Sequence, residues 1–181
     1  MRRLALAGLL ASSLALPAWA EDARFPTLTP EQMTPAQRAM ADSVIAGPRG
    51  RLAGPFNAWL RSPEIGERLQ QVGAAVRYKS SLPRELNEFA ILIVAREWTA
   101  QYEWHAHHRL AMEAGLPAAV AADLAQGRKP RRMSADQALV YEFCMQLHRD
   151  HRVSDPTFNA TKARFGEQGV IDLIAVSGYY V

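Results

Sequence analysis

The residues best suited to chemistry are gathered in two places. His105, His107 and His108 fall within Gln101-Tyr102-Glu103-Trp104-His105-Ala106-His107-His108, and His148 and His151 form a second pair, which accounts for all 5 histidines. On a helix, Glu103 and His107 are four residues apart and share a face, whereas His105 and His108 lie on a different one. A carboxylate beside His107 orients the ring and favours its protonated form. A second acid, Glu88, precedes this cluster. In one straight helix Glu88 and Glu103 would stand about 22 Å apart and could not cooperate. A break with Thr99 as N-cap folds the segment into a hairpin and brings Glu88 towards Glu103 and His107, beside a helix N-terminus where anions are favoured. Two carboxylates and an imidazole that share a proton make a general acid–base site.

The same residues have plainer readings. Glu103 and His107 at this spacing also fit a surface ion pair. His105 and His108 fit solvent-facing or interface positions. His148 and His151 sit at a predicted helix C-terminus, where cationic side chains suit the dipole. Glu103 and His107 are also of zinc-ligand type, which leaves a His/Glu metal-binding protein as an alternative, although no HExxH or CxxC spacing occurs. Cys144 shares an apolar stripe with Val140, Phe143 and Leu147 and reads as a small core residue. It is the only cysteine, so an internal disulfide and dithiol chemistry are both excluded.

Helices must position these groups. Thr34-Pro35-Ala36-Gln37 is a capping box with proline at the first helical position, opening a helix to about Ala46. Gly47 to Pro55 (GPRGRLAGP) is a loop, with a short turn from Phe56 to Arg61 after it. Ser62-Pro63-Glu64 starts a helix to about Arg77. The next runs from near Pro83 to Trp98, with Leu86, Phe89, Ala90, Ile93 and Val94 on one stripe. Further helices are predicted over Ala100–Ala114, from Pro117 to Gly127, from the Ser134-Ala135-Asp136-Gln137 capping box to His148, from Ser154 to Gly166, and from Glu167 to the end. No segment alternates with period two, so the fold class is all-α, with seven or eight helices and no sheet.

Arg2 and Arg3, the apolar run Leu4–Leu16 and the small-x-small site Ala18-Trp19-Ala20 read as a secretory signal peptide over residues 1–20. The run is about 13 residues, short of the ~20 that span a bilayer. Export places the protein in the periplasm or outside the cell. Removal of this segment takes away two arginines and no acid, so the net charge falls from +3 to +1. The basic pI therefore does not argue for an anionic macromolecule, and Arg128-Lys129-Pro130-Arg131-Arg132 reads as a solvated loop; no nucleic-acid partner and, after cleavage, no membrane partner is expected. Residues 21–33 are polar and proline-containing and read as a flexible lead-in, leaving 34–181 as a single helical domain.

The segment from Leu82 to Leu116 resembles the carboxymuconolactone decarboxylase family, which includes the alkyl hydroperoxidase D-like proteins. The resemblance is carried by Leu82-Pro83-Arg84-Glu85-Leu86-Asn87-Glu88, Ala95-Arg96-Glu97-Trp98, Tyr102-Glu103-Trp104-His105-Ala106-His107 and Ala111-Met112-Glu113-Ala114-Gly115-Leu116. Weaker similarity extends from Gly54-Pro55-Phe56-Asn57 to Gly178-Tyr179-Tyr180. It implies hairpin-packed helices and self-association as a trimer or hexamer. It also implies a last helix that continues beyond the Gly-Tyr-Tyr element, so the chain is expected to be short at its C-terminus. In the hydroperoxidase branch a glutamate, a Cys-x-x-Cys pair and a histidine form the site. Glu88 and His107 match the glutamate and histidine, whereas Ala100 and Glu103 stand at the cysteine positions. Peroxidase or peroxiredoxin activity, the family's other label, is therefore disfavoured. The resemblance implies instead a carboxy-lyase-like enzyme, without cofactor, acting on a small carboxylated lactone or related acid. Glu88, Glu103 and His107 are its expected catalytic residues, and Arg49, Arg51, Tyr102 and Trp104 its expected substrate contacts. A non-catalytic scaffold on the same fold is the remaining alternative.

Overall fold

The computed structural model describes residues 24–181, and the expected signal peptide lies outside the described residues. The described residues form eight α-helices and no strand: α1 (Pro35–Ala46), α2 (Phe56–Trp59), α3 (Pro63–Tyr78), α4 (Arg84–Glu97), α5 (Gln101–Glu113), α6 (Ala118–Ala125), α7 (Ala135–Met145) and α8 (Asp155–Tyr179). Both capping boxes form as the sequence predicts. The Thr34 and Ser134 hydroxyls accept from the amides of Gln37 and Gln137, whose side chains accept from the cap amides in return. α8 is broken at Gly166, where φ 73° and ψ 178° leave the helical region. This is the boundary expected between the last two helices.

The centre of the molecule is α4. Sequence periodicity predicts a single apolar stripe on it, yet every residue from Leu86 to Ala95 is buried. The helix is enclosed by α5, α7 and α8, as expected of a helix that is apolar on all sides. Its burial includes Asn87 and Glu88, each 3% exposed. A second, smaller core gathers Met40, Ala41 and Val44 of α1 with Phe56 and Leu60.

The lead-in is not free from Arg24 onward. Leu28 and Met33 pack on the smaller core. Asn57 accepts from the Leu28 amide at 3.4 Å and donates to the Phe25 carbonyl at 2.9 Å. The polar composition of 21–33 hides these two apolar anchors, which is why it reads as mobile.

Candidate active site

The α4–α5 hairpin brings Glu88 to the two groups that α5 carries. Its turn is not an N-cap at Thr99, as the sequence suggests: Thr99 has φ 54° and makes no cap, and Ala100 holds the N-cap position without a side-chain bond. The turn instead terminates α4. The Ala100 amide donates to the Ala95 carbonyl at 2.8 Å and the Thr99 amide to the Arg96 carbonyl at 3.3 Å. This is a Schellman ending, with threonine in the left-handed position that glycine normally occupies. α5 and α6 end in the same pattern with Gly115 and Gly127 in that place.

His107 is 4% exposed and lies between the two acids. Its Nδ1 is 2.7 Å from Glu88 Oε2, and its Nε2 is 3.5 Å from Glu103 Oε2. With Glu88 as carboxylate, Nδ1 carries the donated proton, so Nε2 is the nitrogen turned towards Glu103. The Tyr180 ring meets the imidazole edge to face at 4.9 Å and 81°, which fixes its plane. A surface ion pair is thus excluded for His107, although Glu103 is only partly buried.

Glu103 and His107 face a cavity of about 560 Å³, within the range of small-molecule sites. One wall is the Gly47–Pro55 loop, which contributes Arg49 and Arg51. Another is α3, through Arg77 and Tyr78, and a third is the end of α8, through Tyr179 and Tyr180. Glu103 is the single acid among the lining residues, against Arg49, Arg51, Arg77 and Arg109. Arg109 is engaged by Glu113. Arg49 lies over Phe56 at 4.9 Å and over Tyr78 at 5.9 Å, and Arg77 lies over Tyr78 at 4.9 Å. Arg49 Nε and Nη2 and Arg77 Nε are buried without a partner among the described residues. The excess of guanidinium groups over carboxylates in the lining suits an anionic ligand.

Two glycines make room for this wall. A Cβ on Gly73 of α3 would fall 2.0 Å from the Tyr179 hydroxyl and 2.6 Å from Arg49 Nη2. On Gly54, at φ 69°, it would fall 2.6 Å from the Tyr102 hydroxyl. Tyr102 thus lies directly on the loop backbone.

Burial pushes the Glu103 carboxyl above its ordinary range, and the opposing charges of His107, Arg77 and Arg49 do not offset it. A carboxyl raised in this way can carry a proton nearer neutrality. Burial likewise raises the Tyr179 and Tyr180 phenols, so both remain hydrogen-bond donors.

Of the predicted site residues, Glu88, Glu103 and His107 meet, and Arg49, Arg51 and Tyr102 line the cavity beside them. Trp104 does not. It packs against the main core and on His108, with ring centres 5.8 Å apart. One residue past Glu103 is a rotation of about 100°, which carries the side chain off the site's face. Arg77, Tyr179 and Tyr180 are site residues that the sequence reading did not assign. Only the Gly178-Tyr179-Tyr180 element hinted at the last two.

The remaining histidines lie apart from the pair. His105 is exposed at the cavity wall. His148 is not the helix-terminal cation expected: it accepts from Trp98 Nε1 at 3.1 Å, and burial lowers its pKa. Among the described residues no group of three or more His, Cys, Asp or Glu is placed to hold a metal ion, Glu103 and His107 included. Cys144 is fully buried in the core, and burial pushes its thiol up to about 12. In the basic loop Arg128 pairs with Asp123 and Lys129 with Glu142. No helix among the described residues is long and apolar enough to cross a membrane. Comparison of the chain with family models, curated proteins and solved structures finds no match in any of the three.

Proposed function

We propose that this protein is an exported, cofactor-independent acid–base enzyme of carboxymuconolactone decarboxylase-like character, acting on a small carboxylated lactone or related acid. The observation that carries the reading is the buried His107, held 2.7 Å from Glu88 and facing Glu103 in an arginine-rich cavity. Arg49 and Arg77 line the cavity and supply positive charge for a substrate carboxylate. Loss of carbon dioxide leaves its bonding electron pair on carbon, where the lactone withdraws it. His107 delivers the proton that replaces the carboxylate, from Nε2. Glu88 orients the ring, and Glu103 returns a proton to the nitrogen that gave one up. The thiol route is disfavoured further by the depth and high pKa of Cys144.

Self-association belongs to the same proposal. Ile65, Leu69 and Val72 form an exposed apolar stripe on α3, and Ile171 and Ile174 another on α8, surfaces of the kind that protein contacts cover.

The test is a panel of carboxylated lactones incubated with the wild type and His107→Gln, followed by carbon dioxide release. The reading predicts turnover by the wild type on at least one member and a loss of about 10²–10⁴-fold in the variant, with the helical circular dichroism unchanged. Full activity in the variant, or no turnover of any member by the wild type, contradicts it.

A further inference from the structure

The end of α4 is gripped by one short stretch of chain. α7 passes into a single π turn, Gln146–Asp150, and two neighbouring residues of that turn hold two neighbouring residues at the α4–α5 turn. Arg149 Nε and Nη2 donate to the two carboxylate oxygens of Glu97 at 3.0 and 2.9 Å. Trp98 Nε1 donates to His148 Nδ1 at 3.1 Å, with the two rings edge to face at 80°. Each side of this clamp ends in a left-handed residue, Thr99 at φ 54° and His151 at φ 55°. They are the only non-glycine residues with positive φ among the described residues. π turns and left-handed non-glycine residues both gather at functional and switch segments.

The Trp98 bond admits one protonation state of its partner. An indole N–H donates and cannot accept, so His148 Nδ1 is the bare nitrogen and the ring proton sits on Nε2. Nε2 is buried without a partner among the described residues. A second proton would enter at Nδ1, opposite the indole N–H, and would leave both ring donors without an acceptor. The imidazolium form of His148 and the Trp98 bond are therefore mutually exclusive. The neighbouring bridge does not share this sensitivity, because the Arg149 bond holds the Glu97 carboxyl below its ordinary range.

We infer that the Trp98–His148 bond is a pH-sensitive latch on the α4–α5 turn, closed while His148 is neutral and opened when Nδ1 takes up a proton. Glu103 lies in the first turn of α5, so a loosened turn weakens its placement beside His107. This regulation is of the site proposed above and rests on that reading, whereas the latch itself does not. The groups that face His148 are Glu97 from α4, which favours the proton, and His151 beyond its own turn, which opposes it. Arg149, Asp150 and Tyr141 of α7 stand about the Glu97 pair. Burial outweighs Glu97 and lowers the His148 pKa from its ordinary 6.5. The stability tied to the latch is therefore fully present above the unfolded value and is lost as pH falls through the lower, folded one.

The test reads the turn rather than turnover. In proton–nitrogen correlation spectra the Trp98 indole signal is assigned by its loss in Trp98→Phe. It is expected to shift in step with the His148 ring signals, with a midpoint below 6.5, while the Trp59 indole stays in place. Amide-exchange protection at Thr99 and Ala100 is expected to fall roughly two- to tenfold between about pH 8 and about pH 5. Gly127 and Arg128, at the corresponding turn after α6, should keep theirs. Trp98→Phe should show the lowered protection at both pH values, and His148→Asn should lack the pH-dependent loss. An indole signal that holds still through the His148 titration, or an equal acid loss of protection in the wild type and Trp98→Phe, would overturn the inference. If Trp98→Phe does not fold, an acid loss that persists in His148→Asn overturns it instead. Loss of activity in His107→Gln with a pH-silent Trp98 would sink the latch and leave the proposed function standing. A working latch in a protein that turns over no lactone would do the reverse.

Discussion

Burial holds the Glu103 carboxyl above its ordinary range although three cationic or ionisable groups, His107, Arg77 and Arg49, stand around it. The folded state therefore favours the protonated form more than the unfolded state does. The stability tied to that preference is fully present below the unfolded value and is lost as pH rises through the folded one. Glu103→Gln removes the titration. It should be at least as stable as the wild type at about pH 8, with the advantage shrinking as pH falls towards about 4, where glutamate takes up its proton in the unfolded chain. Urea melts of both proteins at the two pH values check this, and a variant less stable at the higher pH would contradict it. Glu88, Glu103 and His107 were legible in the sequence because acid and imidazole spacing on adjacent helices is a local pattern. Arg77 and Tyr179 were not, because they reach the cavity from α3 and α8 and only tertiary packing places them there. Gly73 carries the trace of that packing, since its missing Cβ is what admits Tyr179 and Arg49, but a helical glycine alone does not say what approaches it.

The hairpin between α4 and α5 decides whether the site exists. Its turn places a β-branched residue, Thr99, at φ 54°, where the side chain crowds the backbone. The corresponding positions after α5 and α6 are Gly115 and Gly127, so Thr99 alone of the three stores strain, on the order of 1 kcal/mol or more. Thr99→Gly is therefore expected to raise stability by about 1 kcal/mol, less the entropy cost of a more flexible unfolded chain. With that entropy cost of about 0.4–1 kcal/mol subtracted, thermal denaturation should show a rise of up to about 2 °C for a chain of this size, and a fall of several degrees would contradict the strain. The break itself is legible from the sequence, but the kind of turn is not. Threonine is a common N-cap and a rare left-handed C-terminal residue, so composition pointed to the wrong end of the turn. The Thr34 and Ser134 capping boxes are legible because their hydrogen bonds are local. The burial of α4 on every side is only half legible: Phe89 to Ala95 is an unbroken apolar run that a single stripe understates, whereas the buried Asn87 and Glu88 carry no apolar signal at all.

At the scale of the whole molecule, the site is assembled from four separate parts: the loop after α1, the end of α3, the α4–α5 hairpin and the final turn of α8. The two cores serve that assembly. The larger one fixes the hairpin against α7 and α8, and the smaller one, with Leu28 and Met33 packed on it, anchors the base of the loop at Phe56 and Leu60. The all-α class was legible from periodicity and the absence of alternation, whereas the docking of the lead-in was not, because two apolar residues in a polar stretch carry it. The central claim is that Glu88 and His107 work as one unit within this assembly. Groups that act as a unit lose little more together than singly. The direct measurement is turnover of a carboxylated lactone by the wild type, Glu88→Gln, His107→Gln and the double variant. The account predicts that the double variant falls within a few-fold of His107→Gln alone. Losses that multiply would contradict it, because they would mean that the two residues act independently.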